Sequence, residues 1–195
     1  MNFPIISALI LLPAIGAIFL LFSKNKEGNN LTVKYVALFA SIVNFFLSIY
    51  LWYLFDPSTS DFQFVEDRIW LVSFVNYKVG VDGISILFII LTTFITPLCI
   101  LSVNNSVKIR LRDFLIAILI MESFMIGVFC SLDLLVFYLF FEAGLIPMFL
   151  IIGIWGGTRR VYSAFKFFLY TLLGSVLMLV AIISIYWISG TTDVV

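Results

Sequence analysis

Six apolar stretches recur along the chain, separated by polar turns. They run approximately over Phe3–Phe22, Val33–Phe55, Ile84–Val103, Phe114–Cys130, Leu134–Trp155 and Ala164–Ile188. A helix needs about 20 residues to cross roughly 30 Å of hydrocarbon. Lipid offers no partner to backbone N–H and C=O groups, so continuous runs of this length predict helices. Transmembrane strands would be shorter and would alternate in polarity. The pattern predicts an all-α polytopic membrane protein with about six transmembrane helices. Residues 1–195 then form a single membrane domain.

The connections differ in charge. Ser23–Thr32 contains Lys24, Lys26 and Glu27, Asn104–Asp113 contains Lys108, Arg110 and Arg112, and Gly156–Ser163 contains Arg159 and Arg160. The loop 56–82 is richer in acid, with Asp56, Asp61, Glu66, Asp67 and Asp82 against Arg68 and Lys78. The positive-inside rule places the first, third and fifth loops in the cytoplasm or mitochondrial matrix. The N-terminus and Thr191–Val195 then face the periplasm or intermembrane space. Within the outer loop, Phe62–Val65 and Trp70–Val75 are rich in β-formers around Glu66–Asp67, which predicts a short hairpin. Asp82 and Asp133 stand where helix caps are expected. Trp52, Tyr53, Trp70, Trp155 and Trp187 fall near span ends, as an interfacial belt would.

Composition narrows the function. The chain is 63% hydrophobic and 11% charged, which is too little polar surface for a soluble domain of 195 residues. Its net charge is zero, so nothing points to nucleic acid. It has no histidine, which removes the usual haem and zinc imidazole ligands. Cys99 and Cys130 are far apart in apolar segments and lack cluster spacing, so both are expected to be buried apolar fillers. Met1–Asn2–Phe3–Pro4 lacks a basic n-region, and the first span is expected to be a retained helix. Gly153–Ile154–Trp155–Gly156–Gly157 lacks dinucleotide-binding spacing and reads as a helix end and turn.

The candidate chemistry lies in three charged residues within the spans. Glu142 stands near the middle of the fifth span, where a carboxyl costs roughly 2.5–3.5 kcal/mol on insertion scales. One reading is a proton-carrying carboxyl, and the other is a structural hydrogen-bond partner between helices. Its depth favours the first, because Ser, Thr or Asn would join helices at less cost. Pro147, five residues on, removes a backbone donor and is expected to kink the helix near Ala143. Glu122 lies in the fourth span at a similar expected depth, so the two acids could share a polar layer. For Glu122 the functional and structural readings both stay open. Lys166 opens the sixth span, where it either snorkels to the surface or relays protons towards Glu142. Asn44, Ser48, Thr92, Thr93, Thr96, Thr171 and Ser175 either line a hydrated path or bond within helices, and the second is the default.

The segments Gly127–Asp133, Phe141–Glu142–Ala143–Gly144–Leu145–Ile146–Pro147–Met148, Ile152–Gly157 and Lys166–Thr171 resemble a known family, as does Gly80–Ser85. The family is the antiporter-like membrane subunit, chain 4 or subunit M, of proton-pumping NADH:quinone oxidoreductase (respiratory complex I). The resemblance implies a longer fold with inverted repeats and broken helices, of which this chain is the N-terminal part. It implies that Glu142 pairs with a lysine on the seventh helix and that Lys166 lies on the polar axis. It also implies proton translocation driven by quinone reduction elsewhere, as part of NADH:ubiquinone reductase. No cofactor is expected on this chain. NADH, flavin, iron–sulfur clusters and quinone are expected on partner subunits of the membrane complex, in a mitochondrial inner or bacterial plasma membrane. Ending at Val195 suggests either a fragment or a subunit split with a second polypeptide. The competing readings are a cation/proton antiporter component and a purely structural scaffold.

Overall fold

A computed structural model describes residues 4–22, 30–59, 61–72, 75–103, 107 and 109–194. Its elements are α1 (Ile5–Phe22), α2 (Asn30–Leu54), β1 (Gln63–Val72), β2 (Val75–Val81), α3 (Ser85–Ser102), α4 (Leu111–Cys130), α5 (Leu134–Trp155) and α6 (Arg160–Ser189). All six expected spans are helices, each apolar and long enough to cross a membrane. Three start earlier than hydropathy implies: α2 at Asn30, α4 at Leu111 and α6 at Arg160. Hydropathy registers only the part of a helix in hydrocarbon, whereas its hydrogen bonding continues through polar residues into the interface. The first loop's Lys24, Lys26 and Glu27 lie outside the described residues, as does Lys108.

The helix order reflects α4. Half of its span is buried, against 11% of α6. It packs against α1, α2, α3 and α5, while α6 leans on α5. Small residues permit two of these approaches. A Cβ on Gly16 would lie 2.7 Å from Ala40 Cβ, so α1 and α2 nearly touch there. A Cβ on Gly127 would lie 2.6 Å from the Phe140 ring, which seats that ring of α5 on the α4 backbone. Without a hydrophobic drive between helices in lipid, such close packing supplies much of their attraction.

Two apolar clusters form the core. One joins Ile6, Leu9, Leu51, Val79, Val81, Ile86, Ile126 and Cys130 at the hairpin end. The other joins Ala17, Leu20, Ala37, Ile100, Leu115 and Leu119. Buried Asn44 and Ser48 of α2, Thr93 of α3, and Glu122 and Ser123 of α4 fall between the clusters in their own helices. The bundle therefore has a polar layer between two apolar ones. Cys130 is buried as expected, but Cys99 is exposed because it lies on the outward side of α3.

The outer-loop hairpin exists, with a different register from the one its composition suggests. Glu66 and Asp67 are inside β1, paired with Val79 and Lys78, so they do not separate two strands. The second strand is Val75–Val81. This register brings Glu66 to the start of α1. Its Oε1 accepts from the Ile6 amide at 2.9 Å and the Ser7 amide at 3.3 Å, and its Oε2 accepts from the Ser7 hydroxyl. A carboxylate here satisfies helix-start donors that have no partner within α1 and complements the helix dipole.

Overpacking checks the α1–α2 contact. Gly16→Ala is expected to lower the stability of the assembled protein by about 1–3 kcal/mol, because Ala40 Cβ has no freedom to move aside. Adding Ala40→Gly should recover most of the loss in thermal-stability measurements. If Gly16→Ala costs nothing, the close approach is absent.

Candidate functional site

The polar layer is built by four helices. Asn44 Nδ2 on α2 donates to Glu122 Oε1 on α4 at 2.9 Å, with both residues buried. The Ser48 and Thr93 hydroxyls share a 2.7 Å hydrogen bond between α2 and α3. The Ser123 hydroxyl donates to the Ile10 carbonyl on α1. Glu122 is 2% exposed, and its Oε2 has no hydrogen-bond partner among the described residues, nor does Asn44 Oδ1. Sequence placed Glu122 and Asn44 in separate considerations, and nothing local could join residues 78 positions apart.

Glu142 is only partly buried, yet its Oε2 is enclosed and lacks a partner among the described residues. Helix α5 runs unbroken from Leu134 to Trp155 through buried Pro147. The proline has no N–H, so the Ala143 carbonyl loses its helical donor one residue from Glu142. The carboxyl thus sits beside a weakened stretch of backbone pairing.

Contacts between helices give the relative levels of the charged groups. Gly127 meets Phe140 and Gly144 meets Phe124 across the α4–α5 pair. In that antiparallel register Glu142 and Glu122 differ by three or four residues, about 5 Å along the axis at 1.5 Å per residue. Gly153 meets Ala164 across the α5–α6 pair. Glu142 is then level with buried Ser175, and Lys166 lies nine residues away, about 13 Å along the axis. Lys166 is exposed on α6 and makes no ion pair with Glu142 among the described residues. Thr92, Thr96, Thr171 and Ser175 return their hydroxyls to carbonyls of their own helices, as the default reading expects.

One end of the bundle anchors these helices. Asp133 caps α5, its Oδ1 accepting from the Leu135 amide at 2.8 Å and the Val136 amide at 3.1 Å. Its Oδ2 accepts from the Thr192 hydroxyl at 2.5 Å, which fastens the segment after α6 to the α4–α5 turn. Lys78 pairs with Asp193 at 2.5 Å. Asp82 and Ser85 cap the start of α3 reciprocally, each amide donating to the other's side chain at 2.8 and 2.7 Å. Partial burial raises the Asp82 pKa, but these bonds, with the Ile84 amide, outweigh it and hold the carboxyl below its usual value. At the opposite end, Trp155 Nε1 donates to the Ile109 carbonyl at 2.8 Å, and Lys34 Nζ donates to Leu101 near the end of α3. Trp52, Tyr53 and Trp187 are exposed near helix ends, and the Trp70 side chain lies outside the described residues.

Comparison with known proteins agrees with this architecture. Residues 131–195 match the family model described as NADH:quinone oxidoreductase/Mrp antiporter, TM. NADH-quinone oxidoreductase subunit M of Rhodobacter capsulatus is 60% identical over 83% of this chain and 31% of its own length. NADH-ubiquinone oxidoreductase chain 4 of Marchantia polymorpha is 48% identical over 96% of this chain and 38% of its own. Among solved structures, respiratory complex I from Thermus thermophilus with bound NADH has a chain at TM-score 0.79 and 30% identity, covering 96% of this chain and 38% of that one. An archaeal membrane-bound sulfane sulfur reductase shares the fold at TM-score 0.82 with 16% identity. Fold and matches together define the class, an antiporter-like all-α membrane fold. Within it, the chain is similar to the N-terminal region of subunit M, or chain 4, of NADH:quinone oxidoreductase. It spans between 31% and 38% of the length of these two relatives.

The Asn44–Glu122 bond is measurable by a double-mutant cycle of Asn44→Ala and Glu122→Gln. A coupling energy of about 1 kcal/mol is expected, within the range found for hydrogen bonds between membrane helices. Strict additivity of the two substitutions would show that the bond carries no stability.

Proposed function

We propose that the chain forms part of the proton-translocating membrane arm of an NADH:quinone oxidoreductase, with Glu142 as its proton-carrying carboxyl. The observation that carries this is the enclosed Oε2 of Glu142 in the middle of α5, which has no hydrogen-bond partner among the described residues. An acceptor left without a donor in a membrane core is costly, and a carboxyl can remove that cost by taking a proton. A cation brought close would favour the ionised form instead. The group therefore holds or releases a proton according to what approaches it. In this reading Glu122 belongs to the same polar layer, about 5 Å away along the axis. Lys166 supplies protons from the basic end and requires intermediate polar groups, since about 13 Å of axial distance separates it from Glu142.

The basic Arg110, Arg112, Arg159 and Arg160 face the cytoplasm or matrix under the positive-inside rule, and the hairpin end faces the periplasm or intermembrane space. Partners are the other membrane-arm subunits, together with whatever polypeptide segment carries the cation for Glu142. NADH oxidation, quinone reduction and their flavin and iron–sulfur centres belong to those partners. Moving one charge across the membrane costs about 2.3 kcal/mol per 100 mV, so the driving energy must arrive from them.

Glu142→Gln tests the proposal by keeping size and polarity while removing the titratable proton. NADH-driven proton pumping by the assembled complex is expected to fall by about a hundredfold or more, a loss in the range of a positioned proton-transfer group. Wild-type pumping in an assembled variant would sink the proton role. Failure to assemble, shared by Glu142→Ala, would point to a scaffold. Co-purification with NADH dehydrogenase activity separates this reading from a stand-alone cation/proton antiporter, which the family description also covers.

A further inference from the structure

Glu122 borders a groove on the side of the bundle as well as the polar layer. Helices α3 and α4 leave a groove of about 310 Å³ between them, bordered by Leu91, Ile95, Met125 and Phe129, with Glu122 in its wall. Leu91, Ile95 and Met125 are 50%, 45% and 41% exposed, so the groove opens on the outer surface of the bundle. Its lining is almost wholly apolar. The other polar groups there, Thr92 and Thr96, have hydroxyls already donated to the Phe88 and Thr92 carbonyls.

The carboxyl defines what the groove lacks. Glu122 Oε1 accepts from Asn44, while Oε2 has no partner among the described residues. The missing group is a hydrogen-bond donor, and a positively charged one also complements a carboxylate. The volume sets the size. A dry cavity of about 150 Å³ takes benzene, so this groove takes an apolar body of roughly twice that bulk. Met121 and Met125, with flexible thioether chains, flank Glu122 and can yield to an entering molecule.

We infer that the α3–α4 groove is a binding site for a primary alkylamine, which enters from the hydrocarbon and pairs its nitrogen with the Glu122 carboxyl. A neutral amine takes the proton of the carboxylic acid, and an ammonium meets the carboxylate; both give the same ion pair. The alkyl chain lies along Leu91, Ile95 and Phe129. The site requires no proton-transfer role for Glu122 or Glu142.

The test uses the intact complex in native membranes, with dicyclohexylcarbodiimide as the reporter and decylamine as the ligand. The carbodiimide nitrogen takes the acid proton and the carboxylate oxygen bonds to the central carbon. Acyl transfer to nitrogen then gives a stable N-acylurea, with every reagent atom retained. Mass spectrometry of the peptide containing Glu122 is expected to show this adduct. At about ten times its Kd, decylamine should slow the labelling about tenfold by mass action. Decane at the same membrane concentration should leave it unchanged. Ile95→Trp, which fills the groove without touching the carboxyl, should abolish the protection in complex recovered intact. The inference is overturned if Glu122 takes no label at any pH at which the complex stays intact. It is equally overturned if decane protects as well as decylamine does, or if Ile95→Trp leaves protection unchanged.

Discussion

Hydrocarbon supplies no hydrogen bonds, and an unpaired polar group there costs several kcal/mol. Helices meet this requirement for the backbone within each span. Side chains meet it in two ways. Most hydroxyls bond back to their own helix, as Thr92, Thr171 and Ser184 do. A few cross between helices, and these cluster at one depth: Asn44 to Glu122, Ser48 with Thr93, and Ser123 to Ile10. Their clustering explains why α4 is central. It carries two of the crossing side chains and so must be enclosed by the helices that supply their partners.

Water at the hairpin end changes the kind of bond that is worth making. There the ties are charge-assisted and long in sequence. Glu66 holds the start of α1, Asp133 holds both α5 and Thr192, and Lys78 holds Asp193. The backbone adds the Leu132 amide to the Lys78 carbonyl, the Leu134 amide to the Thr192 carbonyl and the Val194 amide to the Leu132 carbonyl. The hairpin therefore straps the starts of α1 and α5 and the segments after α4 and α6 into one layer. Tyr77 of β2 belongs to this layer, and burial raises its phenol pKa above the usual value.

Sequence made legible what depends on local chemistry. The six spans follow from apolar run length, and the Asp133 cap follows from one acid placed before an apolar run. It could not fix what depends on pairing across the fold. Glu66 looked like one more outer-loop acid because its partners, Ile6 and Ser7, are about 60 residues away. The hairpin was expected from β-formers flanking Glu66–Asp67, but both acids lie inside β1, and a charge inside a strand is acceptable when a helix start receives it. The shared depth of Glu122 and Glu142 came from counting residues from a tight turn. The bond to Asn44 required α2 to lie against α4, which no periodicity in either helix states.

The two intramembrane acids are held in different ways. Glu122 is fixed by Asn44 within the polar layer, with the α3–α4 groove along one side. Glu142 is partly buried, with one enclosed oxygen that has no hydrogen-bond partner among the described residues, and the Ala143 carbonyl next to it lacks its helical donor. The membrane potential sharpens the contrast: a charge moved halfway across a 100 mV drop is worth about 1 kcal/mol, half the full-span value. That is comparable to one interhelical hydrogen bond. A side chain already committed to such a bond, as Glu122 is to Asn44, is held against a push of this size by a comparable energy.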